Sequence, residues 1–128
     1  MKILAIDYGL NKVGLAIGDT ITKLAFPRGL LTAAPNLTHQ IVVLVKEEEV
    51  SLIIVGQPLN MQGQATKQTE TTVDFVSKLQ ELITVPVELL DERLTTKRAL
   101  GAKQSGSRLT DDELAAMYLL QDYLDRYF

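Results

Sequence analysis

Four carboxylates stand where the chain changes direction, and if they meet, their type suits divalent-metal chemistry. Asp7 closes a short apolar run, Asp91 and Glu92 close another, and Asp112 opens a run with helical periodicity. Carboxylate oxygens are hard ligands suited to Mg2+ or Mn2+. Two such ions about 3.5–4 Å apart can activate a water and stabilise the leaving oxygen of a phosphodiester. That chemistry requires the acids to converge. They converge only if the two strands are neighbours and the helix packs across them; otherwise they are solvated charges. A charge buried alone at Asp7 is costly, so it needs a partner or a metal.

Helical geometry sorts the acids around Asp112. Thr110 and Glu113 match a capping box, and acids in a first helical turn suit the dipole without any catalytic role. Yet Asp112, Ala115, Ala116, Leu119, Leu120 and Tyr123 recur at helical spacing. This puts Asp112 on the apolar stripe, one turn before two alanines small enough for close packing on a sheet. Asp111 falls on the side of Asp122 and Asp125, which is expected to be solvated.

Composition excludes much else. The chain has no Cys and one His, which removes disulfides, thiol catalysis, Cys-based zinc and iron–sulfur sites, and any multi-His zinc site. His39 lies mid-helix among polar neighbours and reads as a surface residue. The longest strictly apolar run is residues 41–45, against roughly 18 needed to span a bilayer. Asp7 interrupts the first apolar run too early for a signal peptide. A cytoplasmic protein without a membrane partner is expected. The 128 residues, 46% hydrophobic and 23% charged, predict a single domain over 1–128 with an ordinary core.

The net charge of −3 argues mildly against a nucleic-acid partner, but its distribution does not. Arg93, Lys97, Arg98, Lys103 and Arg108 fall in an 18-residue stretch that ends at Thr110 and holds no acid. That stretch is either a solvated helix and loop or an anion-binding patch able to track a phosphate backbone. Aromatics make up 5% of the chain, with no Trp. This argues against an extended base-stacking platform and for recognition by shape and backbone.

The elements that must position these residues follow from periodicity. Lys2–Tyr8 is apolar and β-branched, a buried central strand ending at Asp7. Lys12–Asp19 pairs with it as a hairpin across the Gly9 turn, and Leu24–Thr32 is a third strand that Pro27 assigns to an edge. Residues 36–49 form a helix with Asn36 as N-cap and Leu37, Ile41, Leu44 and Val45 on its buried stripe. Residues 51–55 are a buried strand. Residues 66–82 form a helix with Val73, Val76, Leu79 and Ile83 on one stripe. Residues 86–91 are a fifth strand, 95–103 a short helix, and 111–127 a last helix. The order β-β-β-α-β-α-β-α-α predicts an α/β fold with a five-stranded mixed sheet, three antiparallel strands followed by alternating helices and strands. A ribonuclease-H-like topology has this order.

Four segments together carry a more specific resemblance. They are Asp7-Tyr8-Gly9 with Val13-Gly14-Leu15-Ala16, then Pro58-Leu59-Asn60-Met61, then Asp91-Glu92-Arg93-Leu94-Thr95-Thr96, and Asp112-Glu113-Leu114-Ala115-Ala116. In order and spacing the chain resembles the YqgF/RuvX, or Holliday-junction-resolvase-like, family over its whole length. Members are described as nucleases maturing the 5′ end of pre-16S ribosomal RNA. The resemblance implies a ribonuclease-H-like fold whose acids bind Mg2+ or Mn2+, as two ions. Matched by motif position, those acids are Asp7, Glu92 and Asp112, with Asp91 as the alternative to Glu92. Lys12, Arg93, Lys97, Arg98, Lys103 and Arg108 are the candidate nucleic-acid contacts. Where the family often has Thr-Lys-Arg after the first glycine, this chain has Leu10-Asn11-Lys12. The family usually has a basic residue opening the helix after the Pro58 loop, and around Glu70-Thr71-Thr72 this chain has none.

Three functions fit this reading. The first is a metal-dependent endonuclease of structured RNA in ribosome biogenesis, with nucleic acid and ribosomal particles as partners, as a monomer or homodimer. The second keeps the chemistry and takes branched DNA, which calls for a dimer making paired cuts. The third is a nucleic-acid-binding assembly module whose acids are inherited. Gly9 and Gly14 are read as allowing close approach of strands and phosphate, and the loop between Gly56 and Gly63 as shaping a groove.

Overall fold

The computed structural model describes residues 1–57, 62–91 and 111–128. In chain order they form β1 (Lys2–Tyr8), β2 (Lys12–Asp19), β3 (Leu24–Thr32), α1 (Leu37–Glu47), β4 (Val50–Gln57), α2 (Lys67–Leu82), β5 (Val87–Asp91) and α3 (Asp111–Tyr127). The expected short helix over 95–103, the Thr110 cap and the residues 58–61 of the Pro58 loop lie outside the described residues.

The five strands make one sheet in the order β3-β2-β1-β4-β5. The three hairpin-linked strands are antiparallel, while β1, β4 and β5 run parallel. The sheet is therefore mixed, as expected. The central strands read as unbroken apolar runs because both faces are covered. On one face Leu4, Ile6, Val13, Leu15, Ile53 and Val55 pack with α1 and α2 through Leu37, Ile41, Leu44, Phe75, Val76 and Leu79. On the other, Ile3, Ala5, Ala16, Leu52 and Ile54 pack with Ala116, Leu119, Leu120 and Leu124 of α3.

Pro27 does lie on an edge strand. Between Leu15↔Gly29 and Ala16↔Pro27 the register shifts, so Arg28 is an extra residue. Its guanidinium reaches Glu48 beyond α1 at 3.3 Å. Bulge and proline together disfavour pairing along that edge.

Several details differ from the expected elements. Asn36 occupies the N-cap position of α1 but makes no side-chain cap bond, because its backbone (φ −91°, ψ 9°) is not extended. The cap of α2 is Thr66, outside the helix proper. Its hydroxyl accepts the Thr69 N–H while the Thr69 hydroxyl accepts the Thr66 N–H. The buried stripe of α2 is Thr69, Thr72, Phe75, Val76 and Leu79, and Val73 is 38% exposed. The ring of Phe75 stacks on Tyr8 of β1 at 4.4 Å and 19°, which centres the stripe on Phe75 and turns Val73 outward. Strand β5 begins at Val87. Pro86 has no N–H to give, and its carbonyl accepts from Ile53 at 2.9 Å.

Candidate active site

The parallel strands β1, β4 and β5 all end at one edge of the sheet, the edge where ligands gather in open α/β folds. Asp7, next to last in β1, stands there half-buried. Alternation along the strand puts it on the face of Ile3 and Ala5, the face α3 covers.

Helix α3 brings Asp112 to the same place. Gly14 of β2 is the cross-strand partner of Asp7. A Cβ added to Gly14 would lie 2.1 Å from the carbonyl oxygen of Asp112 and 3.0 Å from its Cβ. The first turn of α3 thus rests main chain to main chain on the residue opposite Asp7. Cross-strand Cα atoms lie about 4.5–5.5 Å apart, so the backbones of Asp7 and Asp112 come within roughly 10 Å, close enough for two carboxylates to share a cation. The approach expected at Gly14 is made by the helix, which fills the space a phosphate was expected to use. At Gly9 a Cβ would meet the Lys12 carbonyl at 2.6 Å, so that glycine closes the hairpin.

The strand-end acids of β5 divide by face. The strands β1 and β5 are not the neighbours that convergence of all the acids was expected to require: β4 lies between them, which separates their ends by about 10 Å, so any strand-end acid of β5 must reach the Asp7 site across β4. Leu89 packs on the side of α1 and α2, and Leu90 on the side of α3. Asp91, in register with Gln57, alternates back to the side of α1 and α2 and is exposed. Asp91 therefore sits across the sheet from Asp7. Glu92, Arg93, Lys97, Arg98, Lys103 and Arg108 lie outside the described residues. Among the described residues no group of three His, Asp or Glu side chains is placed to hold a metal ion. Asp7 and Asp112 are the two that the fold brings together.

Lys12 opens β2 and is exposed beside the Asp7 end, in register with Thr32. His39 is exposed on α1, as expected. Asp111 is half-buried rather than fully solvated, with its Oδ1 shielded from solvent. Two contacts that support the site escaped the sequence. One is the Tyr8–Phe75 stack under the end of β1. The other is Gln121, whose Oε1 accepts the Ala25 N–H at 3.0 Å while its Nε2 donates to the Lys23 carbonyl at 2.8 Å. It fastens α3 to β3. A polar residue facing an edge strand from a packed helix is the only sequence signal for it.

A mixed five-stranded sheet with this strand order, helices on both faces and a helix acid seated beside the acid of β1 defines a ribonuclease-H-like domain. The chain belongs to the RuvX family, described as Holliday junction resolvase, whose family model matches residues 1–126. A relative from Chloroflexus aurantiacus, named "Putative pre-16S rRNA nuclease", is 40% identical over 131 residues, covering 96% of this chain and 86% of that protein. The Thermus thermophilus RuvC, solved in complex with a Holliday junction substrate, superposes with a TM-score of 0.63 at 16% identity, over 97% of this chain and 93% of that one. The fowlpox virus resolvase, solved with Holliday junction DNA, gives 0.58 at 15% identity, over 98% and 97%. At such identities the two structures establish the shared fold.

Proposed function

We propose that this chain is a metal-dependent endonuclease that hydrolyses phosphodiester bonds in structured RNA and processes the 5′ end of pre-16S ribosomal RNA in the cytoplasm. The observation that carries the reading is the seating of Asp112 against Gly14, opposite Asp7. An acid in the first turn of α3 also suits the helix dipole, but its backbone seating on the residue opposite Asp7 puts it at the carboxyl edge of the sheet, within reach of a shared cation. The names of the curated relatives supply the substrate class.

The donor set fits a hard divalent cation, since both described acids are carboxylates on rigid elements. Asp7, Asp112 and Glu92 would hold Mg2+ or Mn2+, as a pair of ions. Asp91's place on the other face favours Glu92 as the strand-end acid. The bound cations would supply an activated water and charge stabilisation at the leaving oxygen. The chain's own part is positional. Strand β1 fixes Asp7, the bare α-carbon of Gly14 lets Asp112 approach it, and Lys12 offers a cation to a neighbouring phosphate. The acid-free stretch from Arg93 to Arg108 is suited to follow the backbone, so affinity should fall as salt rises.

A second reading, cleavage of branched DNA, is favoured by the family's description and by the fold it shares with resolvases solved on junctions. The test is a metal-titrated cleavage assay at low salt on a pre-16S leader RNA and a synthetic four-way DNA junction, with Asp7→Asn beside wild type. RNA cutting that needs the metal and disappears in Asp7→Asn supports the proposal. Symmetric paired cuts in the junction move it to a resolvase acting as a dimer. Binding without cutting of either substrate overturns both.

A further inference from the structure

The hairpin tip between β1 and β2 carries a residue that the catalytic reading leaves without a task. Leu10 is 70% exposed. It lies three residues beyond Asp7 and two before Lys12, at the edge of the sheet where both acids converge. Turn tips ordinarily carry small or polar residues.

This tip is a fixed post. Tyr8 and Val13 form the rung beneath it. Gly9 is tight against the Lys12 carbonyl, where a Cβ would sit at 2.6 Å. The Asn11 carbonyl accepts the Ala33 N–H at 2.9 Å, and Lys12 pairs with Thr32, so the outgoing arm is tied to the end of β3. Its root is held by the stack of Tyr8 on Phe75. An apolar side chain on such a post keeps its position when a ligand arrives.

We propose that Leu10 is a wedge that packs against an unstacked nucleotide next to the bond being cut, and that it gives the protein a preference for substrates with an unpaired residue there. The proposal rests on the nuclease reading of the Asp7 end. The tip stands directly beyond the Asp7 end of β1, with exposed Lys12 alongside to meet a flanking phosphate. Leu10 offers no hydrogen bond, so what it can recognise is the apolar face of a sugar or base. Apolar side chains inserted at nucleic-acid steps act in this way, and the insertion is easiest where stacking is already broken. RNA is commonly recognised at loops and bulges whose bases are splayed. The occupant is thus a bulged, looped or branch-point nucleotide.

The test uses two hairpin RNAs of the same flanking sequence, one fully paired and one with a single-nucleotide bulge, each with 2-aminopurine at that position. Cleavage by wild type, Leu10→Ser and Leu10→Met is measured in Mn2+, and binding is followed by 2-aminopurine fluorescence in an Asp7→Asn background with and without Leu10→Ser. Wild type is expected to favour the bulged hairpin about tenfold, the scale of burying part of one Leu side chain. Leu10→Ser should bring the ratio near one with an unchanged melting temperature, and Leu10→Met should keep it. Binding should brighten the fluorophore only when Leu10 is present. Cutting with the same ratio in Leu10→Ser overturns the wedge and leaves the nuclease reading standing. Leu10-dependent brightening without any cutting by wild type overturns the nuclease reading and the wedge beside a cut bond with it, and leaves Leu10 as a binding contact for unpaired nucleotides. Absence of binding to either hairpin overturns the wedge.

Discussion

The carbonyl oxygen of Asp112 occupies the place where a side chain on Gly14 would begin, 2.1 Å from the ideal Cβ position. Because Gly14 is the cross-strand partner of Asp7, one missing methyl group sets the separation of the two acids. Gly14→Ala must displace either the first turn of α3 or the middle of β2. The expected cost is that of overpacking, about 1–3 kcal/mol, seen as a lower melting temperature. Activity should fall further than the folded fraction does. A variant that melts lower yet cuts at the wild-type rate well below its transition would show that the spacing does not matter.

Asp7 and Asp91 are both strand-end acids, and the register places them on opposite faces. Losing a residue that merely supports a metal ligand costs about 10–100-fold, so removing a ligand itself by Asp7→Asn should cost at least about 100-fold in Mn2+ affinity or cleavage. Asp91→Asn should leave both within about twofold. Mn2+ binding measured by calorimetry checks the pair without reliance on substrate. Equal losses in the two variants would return Asp91 to the site.

Gln121 satisfies a backbone N–H and a backbone carbonyl of the β3 edge in one side chain. Gln121→Ala leaves the part-buried Ala25 N–H without that acceptor, at a cost of about 1–3 kcal/mol. For a chain of this size the melting temperature should drop by a few degrees, on the order of 3–8 °C. Hydrogen exchange at Ala25 should accelerate relative to the strands β1 and β4. Unchanged exchange there would mean that α3 is not fastened to β3 through Gln121.

Tyr123 titrates apart from an ordinary tyrosine. Burial first, then its 3.0 Å hydrogen bond to Glu88 and the charge of that carboxylate, push it up to about 12 from 10.0. The neutral phenol is the form the fold favours, so its contribution to stability is fully present below pH 10. It is lost as pH rises from 10 toward 12, where the unfolded chain's tyrosine ionises first. Absorbance titration at 295 nm should show one of the four tyrosines ionising late, and Tyr123→Phe should remove that phase. If the late phase persists in Tyr123→Phe, the assignment is wrong.

Among the described residues the sequence by itself determined the five strands and the helices α1, α2 and α3, since short β-branched apolar runs such as residues 52–55, bounded by turn signals, suit a sheet interior between two layers. It also determined the edge position of β3, since Pro27 cannot donate within a ladder. The inward place of Asp112 was legible from its spacing to Ala115, Ala116 and Leu119. Other features were not legible, because each depends on which elements meet. Periodicity could not say that β4 separates β1 from β5, since strand order is fixed by crossovers and not by local pattern. It misplaced Val73, because the stripe of α2 is centred by a stack between Phe75 and a tyrosine 67 positions away in the chain. It could not foresee the seating of α3 on Gly14, because that is a contact between backbones, and backbone contacts leave no trace in side-chain periodicity. Only the tertiary structure decided that a glycine in β2 is what lets the acids of β1 and α3 stand together.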